Sequence, residues 1–90
     1  MATQRNTVKI GLVQNRCTAN LEENLSAAER GIREAAARGA QIICLQELFG
    51  SVYFCQIEDH KYFALGEPVP GPTTARMQAL ARELDTVIIA

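Results

Sequence analysis

The sequence has no tryptophan, one histidine and only three cysteines, and each shortage removes a class of chemistry. His60 stands alone in EDHKYF, so no second imidazole can share a metal with it, and no G-x-S-x-G elbow supplies a serine for a triad. Cys17, Cys44 and Cys55 are odd in number and none has C-x-x-C spacing, which argues against a disulfide framework or a zinc site. The opening segment, Met1 to Thr7, is polar and lacks the apolar stretch of a secretory signal. No apolar run approaches the ~20 residues that span a bilayer. Neither charge sign dominates: 9 basic against 10 acidic residues give a net charge of −1, and the basic ones are scattered. Nucleic acid and anionic membrane are therefore poor partner candidates. The six glycines make neither G-x-G-x-x-G nor a Walker A loop, which argues against a dinucleotide or P-loop site. These exclusions together fit a reducing, cytoplasmic setting.

What remains is a chain of 90 residues, 48% hydrophobic and 21% charged, the balance of one folded domain. VKIGLVQ, Val8 to Gln14, is rich in branched residues and partly alternating, so it predicts a strand. Asn20 with Glu23 three residues on resembles a capping box. Leu21, Leu25, Ala28, Ile32 and Ala35 then recur at helical spacing, with Glu22, Glu29, Arg30, Arg33 and Arg38 mostly off that stripe and Gly39 placed to end the helix. Gly31 inside the run costs roughly 1 kcal/mol relative to alanine. IICL, Ile42 to Leu45, predicts an interior strand covered on both faces. A second helix is expected from Gly71, Pro72 or Thr73, with Met77, Leu80, Ala81 and Leu84 inward, and a third strand over Thr86 to Ala90. Alternating strands and helices imply a layered α/β architecture. An apolar strand placed last in the sequence, with little to cover the sheet, predicts a portion of a larger α/β domain rather than a complete one.

Between the second strand and the second helix lies a long stretch, residues 46–72, holding Phe49, Tyr53, Phe54, Tyr62 and Phe63, with one helical turn expected near Glu58 to Ala64. Loops of that length are uncommon without a functional reason. Glu47 carries its sharpest chemical signal. It lies two residues beyond an apolar strand, where α/β proteins place ligands. Leu45, Leu48 and Phe49 flank it, so poor solvation and proton-transfer work are expected there. A solvated loop glutamate, or one that accepts a local hydrogen bond, fits the same pattern. Tyr53 and Phe54 either line a pocket or anchor the loop. Cys44 reads as core, Cys17 as part of a strand–helix connection, and Cys55 as packing rather than a nucleophile, since no base or oxyanion site is evident beside it.

The stretch GAQIICLQELFGSVYFCQ, Gly39 to Gln56, resembles the nitrilase-like carbon–nitrogen hydrolases, and the likeness extends through Val8 to Gln14, Asn20 to Asn24 and EPVPGPTT at Glu67 to Thr74. QELF followed by YFCQ is most similar to the branch acting on N-carbamoylputrescine; ureidopropionases, omega-amidases and nitrilases share the framework. The resemblance implies a four-layer α-β-β-α sandwich, of which residues 1–90 form the N-terminal portion of a single domain. It also implies a catalytic glutamate, lysine and cysteine. The glutamate carries over onto Glu47; neither Lys61 nor Cys55 matches the other two, so residues 1–90 alone are expected to be inactive. Tyr53 and Phe54 take positions beside the substrate pocket. The family implies a small-molecule substrate, no metal or organic cofactor, no nucleic acid or membrane partner, and a homo-oligomer. A non-catalytic α/β binding or structural protein is the competing expectation.

Overall fold

A computed structural model describes residues 6–54 and 59–90. Three strands, β1 (Ile10–Val13), β2 (Ile42–Leu45) and β3 (Val87–Ile89), alternate with helices α1 (Leu21–Ala37) and α2 (Pro72–Leu84), and a 3₁₀ turn covers His60–Leu65 within the long connection. All strand pairs are parallel and β2 is central, with Ile10 opposite Ile42 opposite Val87, and Leu12 opposite Cys44 opposite Ile89. Each expected element exists, and each strand except β2 is shorter than its apolar run.

The ends of α1 explain its placement. Asn20 Oδ1 accepts from the Glu23 amide at 3.1 Å, as a capping box requires. The return arm of the box is relayed: Asn20 N–H donates to Thr18 Oγ1, and that hydroxyl donates to Glu23 Oε2 at 2.8 Å. At the other end Gly39 adopts φ +93°, a conformation without Cβ penalty only for glycine. Its N–H reaches Ala36 O at 2.9 Å and Ala40 N–H reaches Ala35 O at 3.0 Å, the paired bonds of a Schellman motif. Proline opens α2, and Glu67 supplies the cap that Gly71 lacks: its carboxylate accepts from both Thr73 N and Thr73 Oγ1. Those bonds hold the Glu67 carboxyl below its ordinary value.

Both helices pack against the sheet and against each other. Ala28 and Ile32 of α1 join Val13, Ile43 and Leu45 of the strands and Met77 and Leu80 of α2, with Ile32 and Ile43 fully buried and Leu25 buried as well. Leu21, expected on the same inward stripe, is exposed instead on the open cavity, with its Cδ1 beside Gly50 of the loop after β2. Gly31 has a packing reason. A Cβ there would sit 2.5 Å from Val13 Cγ1, so the helix–strand approach depends on its absence. Gly31→Ala in the full-length protein should therefore destabilise by about 1–3 kcal/mol despite the better helix propensity of alanine, as read by chemical denaturation. A stabilised variant would show that α1 can lift away without loss.

Arg76 of α2 bonds Glu22 at 3.1 Å and Glu29 at 3.2 Å, while Arg33 joins Glu29 to Glu83. Hydrogen bonds from Arg33 hold both the Glu29 and Glu83 carboxyls below their ordinary value. These pairs link the two helices at their partly exposed edge, where each contributes little stability.

Both faces of β2 were expected to be covered; among the described residues only the helix-packed face is. Ile10, Leu12, Val87 and Ile89 are exposed, Leu12 to 81%, and Ile42 and Cys44 are only half-buried. Alternation along the strands sends these six side chains away from the helices, and no described residue packs over them as a layer.

Candidate active site

The carboxyl ends of β1 and β2 open onto one side of the sheet, and the chain leaving each is tied to the other. Gln46, the first residue after β2, donates from Nε2 to Asn15 O at 2.8 Å and accepts from Asn15 N, which extends the β1–β2 pairing through a side chain. A tight turn at residues 47–50 follows. Leu48 in it has φ +54°, a left-handed conformation rare for a branched side chain and characteristic of positions that the surrounding structure over-determines. The Ser51 amide closes the turn onto Leu48 O at 3.3 Å. Beneath it, the Cys17 thiol bonds Phe49 O at 3.3 Å, and Asn24 Nδ2 bonds Gly50 O at 2.9 Å.

Glu47 stands in this clamped turn, exposed, on the wall of an open cavity of about 1120 Å³. The expected poor solvation is not found in the described residues. Leu45 is buried in the helix-covered core and Phe49 packs against that core, so the apolar neighbours lie beneath the turn and leave the carboxylate uncovered. Phe54 lines the same cavity and stacks on Tyr62, with ring centroids 5.0 Å apart and planes 13° off parallel. Met77 and Thr73 of α2 and Glu67 complete much of the wall. Tyr53 is exposed and does not line the cavity. Glu47 and Phe54 are thus brought to one cavity, with Tyr53 at its margin in sequence only.

The remaining candidates take other places. Cys17 is half-buried under the turn, and Cys44 lies half-buried on the uncovered sheet face rather than in the core. Asp59 caps the 3₁₀ turn by accepting from the Lys61 amide at 3.0 Å, and His60 packs edge-on against Phe63. Cys55 and Glu58 lie outside the described residues. No described group of three or more His, Cys, Asp or Glu could hold a metal, and no described helix is long and apolar enough to cross a membrane.

Asn24 and Gln46 were not identified as site residues from the sequence alone. Asn24 had a signal: it follows Leu21 by three positions and precedes Ala28 by four, a polar residue on the apolar stripe. Gln46 had none beyond its adjacency to Glu47.

A parallel α/β sheet with helices on one face and a carboxylate at the carboxyl end of its central strand is a layout used by layered α/β enzymes. The carbon-nitrogen hydrolase family profile matches residues 9–90, and the chain belongs to that family. It is 44% identical over 89 residues to an N-carbamoylputrescine amidase of Solanum lycopersicum, covering 98% of this chain and 30% of that protein. Its identity is 45% over 86 residues with the enzyme of the same name from Arabidopsis thaliana, covering 94% and 29%. With an omega-amidase of Bos taurus it is 36% over 84 residues, covering 92% and 29%. The chain spans about 30% of the length of the relatives it matches.

Proposed function

We propose that the full-length protein hydrolyses N-carbamoylputrescine to putrescine, ammonia and carbon dioxide, with Glu47 as the proton-transferring carboxylate. The observation that carries this reading is the Glu47 side chain, presented at the end of the central strand on a cavity wall in a chain of this family. The substrate branch is supported by 43–46% identity to proteins named N-carbamoylputrescine amidase, against 33–38% to omega-amidases.

The chemistry follows from the weak electrophilicity of a ureide carbonyl. Glu47 takes the proton of a cysteine thiol lying outside residues 1–90, and the thiolate attacks the carbonyl carbon. A lysine cation, likewise outside them, stabilises charge on the oxygen. As the tetrahedral centre collapses, the C–NH₂ bond breaks and Glu47 returns its proton to the departing nitrogen, releasing ammonia and leaving a cysteine-bound thioester. Glu47 then takes a proton from water as the water oxygen bonds to the thioester carbon, the C–S bond breaks and the proton passes from Glu47 to the departing sulfur, and the carbamic acid so formed loses carbon dioxide to give putrescine. No metal or organic cofactor takes part. Phe54, on the cavity wall, packs against the alkyl chain.

The same proposal takes residues 1–90 as the N-terminal portion of a four-layer α-β-β-α sandwich in a cytoplasmic homo-oligomer, with the uncovered sheet face meeting a second sheet. The full-length protein should release ammonia from N-carbamoylputrescine with kcat/KM at least about tenfold above that for N-carbamoyl-β-alanine or a dicarboxylic ω-amide, a margin of ~1.4 kcal/mol in transition-state binding. Preference for the ω-amide would move the protein to the omega-amidase branch without disturbing the assignment of Glu47.

A further inference from the structure

We infer that Asn24 is a positioning residue for Glu47, acting as the pin that holds the 47–50 turn onto helix α1. This inference rests on the reading of Glu47 as the proton-transferring group. Asn24 is 3% exposed and is the one buried polar or charged side chain among the described residues. A buried amide is retained only when its donors and acceptors are matched, and here they are matched across three segments. Oδ1 accepts from Thr18 N at 2.8 Å, while Nδ2 donates to Thr18 O at 2.8 Å and to Gly50 O at 2.9 Å. One side chain thus joins the β1–α1 connection to the far end of the turn that carries Glu47.

The near end of that turn is fixed independently by Gln46 on Asn15. Glu47 and the left-handed Leu48, at φ +54°, therefore sit between Gln46 on one side and, on the other, Asn24 on Gly50 O together with the longer, weaker thiol bond of Cys17 to Phe49 O. A left-handed leucine relaxes if either anchor is released, and the carboxylate direction changes with it. An exposed side chain has no packing of its own to fix its direction, so backbone anchoring is what prepares it for a reacting partner. The substitution that removes the donor to Gly50 O while keeping the shape is Asn24→Asp, which retains an acceptor for Thr18 N.

The test uses the full-length protein. Asn24→Asp and Asn24→Ser should lower kcat about 10- to 100-fold with KM changed less than about twofold, because the loss is of orientation rather than of substrate contact. Combined with Glu47→Gln, either change should leave the residual kcat unaltered, since a residue that acts through Glu47 has nothing further to remove. Equal fold-losses in the presence and absence of Glu47 would overturn the inference, as would a folded Asn24→Asp with unchanged kcat beside an inactive Glu47→Gln. Failure of both Asn24 variants to fold would assign the residue to stability alone and overturn it too. Full activity in Glu47→Gln itself would instead remove the base assignment, an outcome separable from the others.

Discussion

Replacing Glu47 by glutamine in the full-length protein should lower kcat by about 10²–10⁴-fold, the range contributed by a positioned acid–base group. Glutamine preserves size and hydrogen-bonding shape but cannot take a proton from a thiol or from water. Both halves of the proposed reaction should therefore slow, and no burst of ammonia should precede the steady state. Stability should stay within about 0.5 kcal/mol, because the side chain is exposed and its turn is held by Gln46, Asn24 and Cys17 rather than by the carboxylate itself. Glu47→Asp keeps the charge but withdraws it by one methylene, and a misplacement on the order of 1 Å costs about 10²-fold. A loss in both variants with an unchanged melting temperature separates a chemical role from a structural one. Activity of Glu47→Gln within about tenfold of the parent would return Glu47 to an ordinary loop residue.

Leu12→Asp should be the most damaging change on the sheet. Leu12 is 81% exposed among the described residues, in register with Cys44 and Ile89 and flanked by Ile10, Ile42 and Val87. Six neighbouring apolar positions on one face of a parallel sheet make a surface that α/β proteins cover. If a second sheet meets that face in the full-length protein, an aspartate there is a buried charge without a partner and costs about 3–5 kcal/mol. If the face meets water, the same change falls within about 0.5 kcal/mol of neutral. Urea denaturation distinguishes them, because a fall in midpoint at constant slope reports stability alone. An unchanged midpoint would contradict the sandwich architecture while leaving the family membership intact.

Local patterns carried most of the fold. The stripe through Leu25, Ala28 and Ile32 placed α1, Asn20 and Gly39 marked its ends, and IICL matched β2 residue for residue, because each signal lies within a few positions of what it specifies. Of the candidate cavity wall, the sequence pointed only to Glu47 and Phe54. Its supports are long-range: Asn24 meets Gly50 across 26 residues and Gln46 meets Asn15 across 31. No periodicity encodes such pairs. The same limit accounts for Leu48, whose positive φ goes with the long-range ties of Gln46, Cys17 and Asn24 around it and not with its own preference. It also accounts for the solvation of Glu47, since apolar neighbours in sequence gave no indication of whether they would lie over the carboxylate or under it. Gly31 was read as a helix weakness and is a close-approach position, a distinction that required knowing which strand α1 faces.

The separation between the Glu47 carboxylate and the sulfur of the proposed nucleophilic cysteine, measured in a structure of the full-length protein with a substrate analogue bound, tests the chemistry most directly. The expected result is an oxygen within about 3–4 Å of that sulfur, close enough to exchange a proton. A Glu47 side chain directed into bulk water, with every cysteine sulfur beyond the reach of one bridging water, would contradict it.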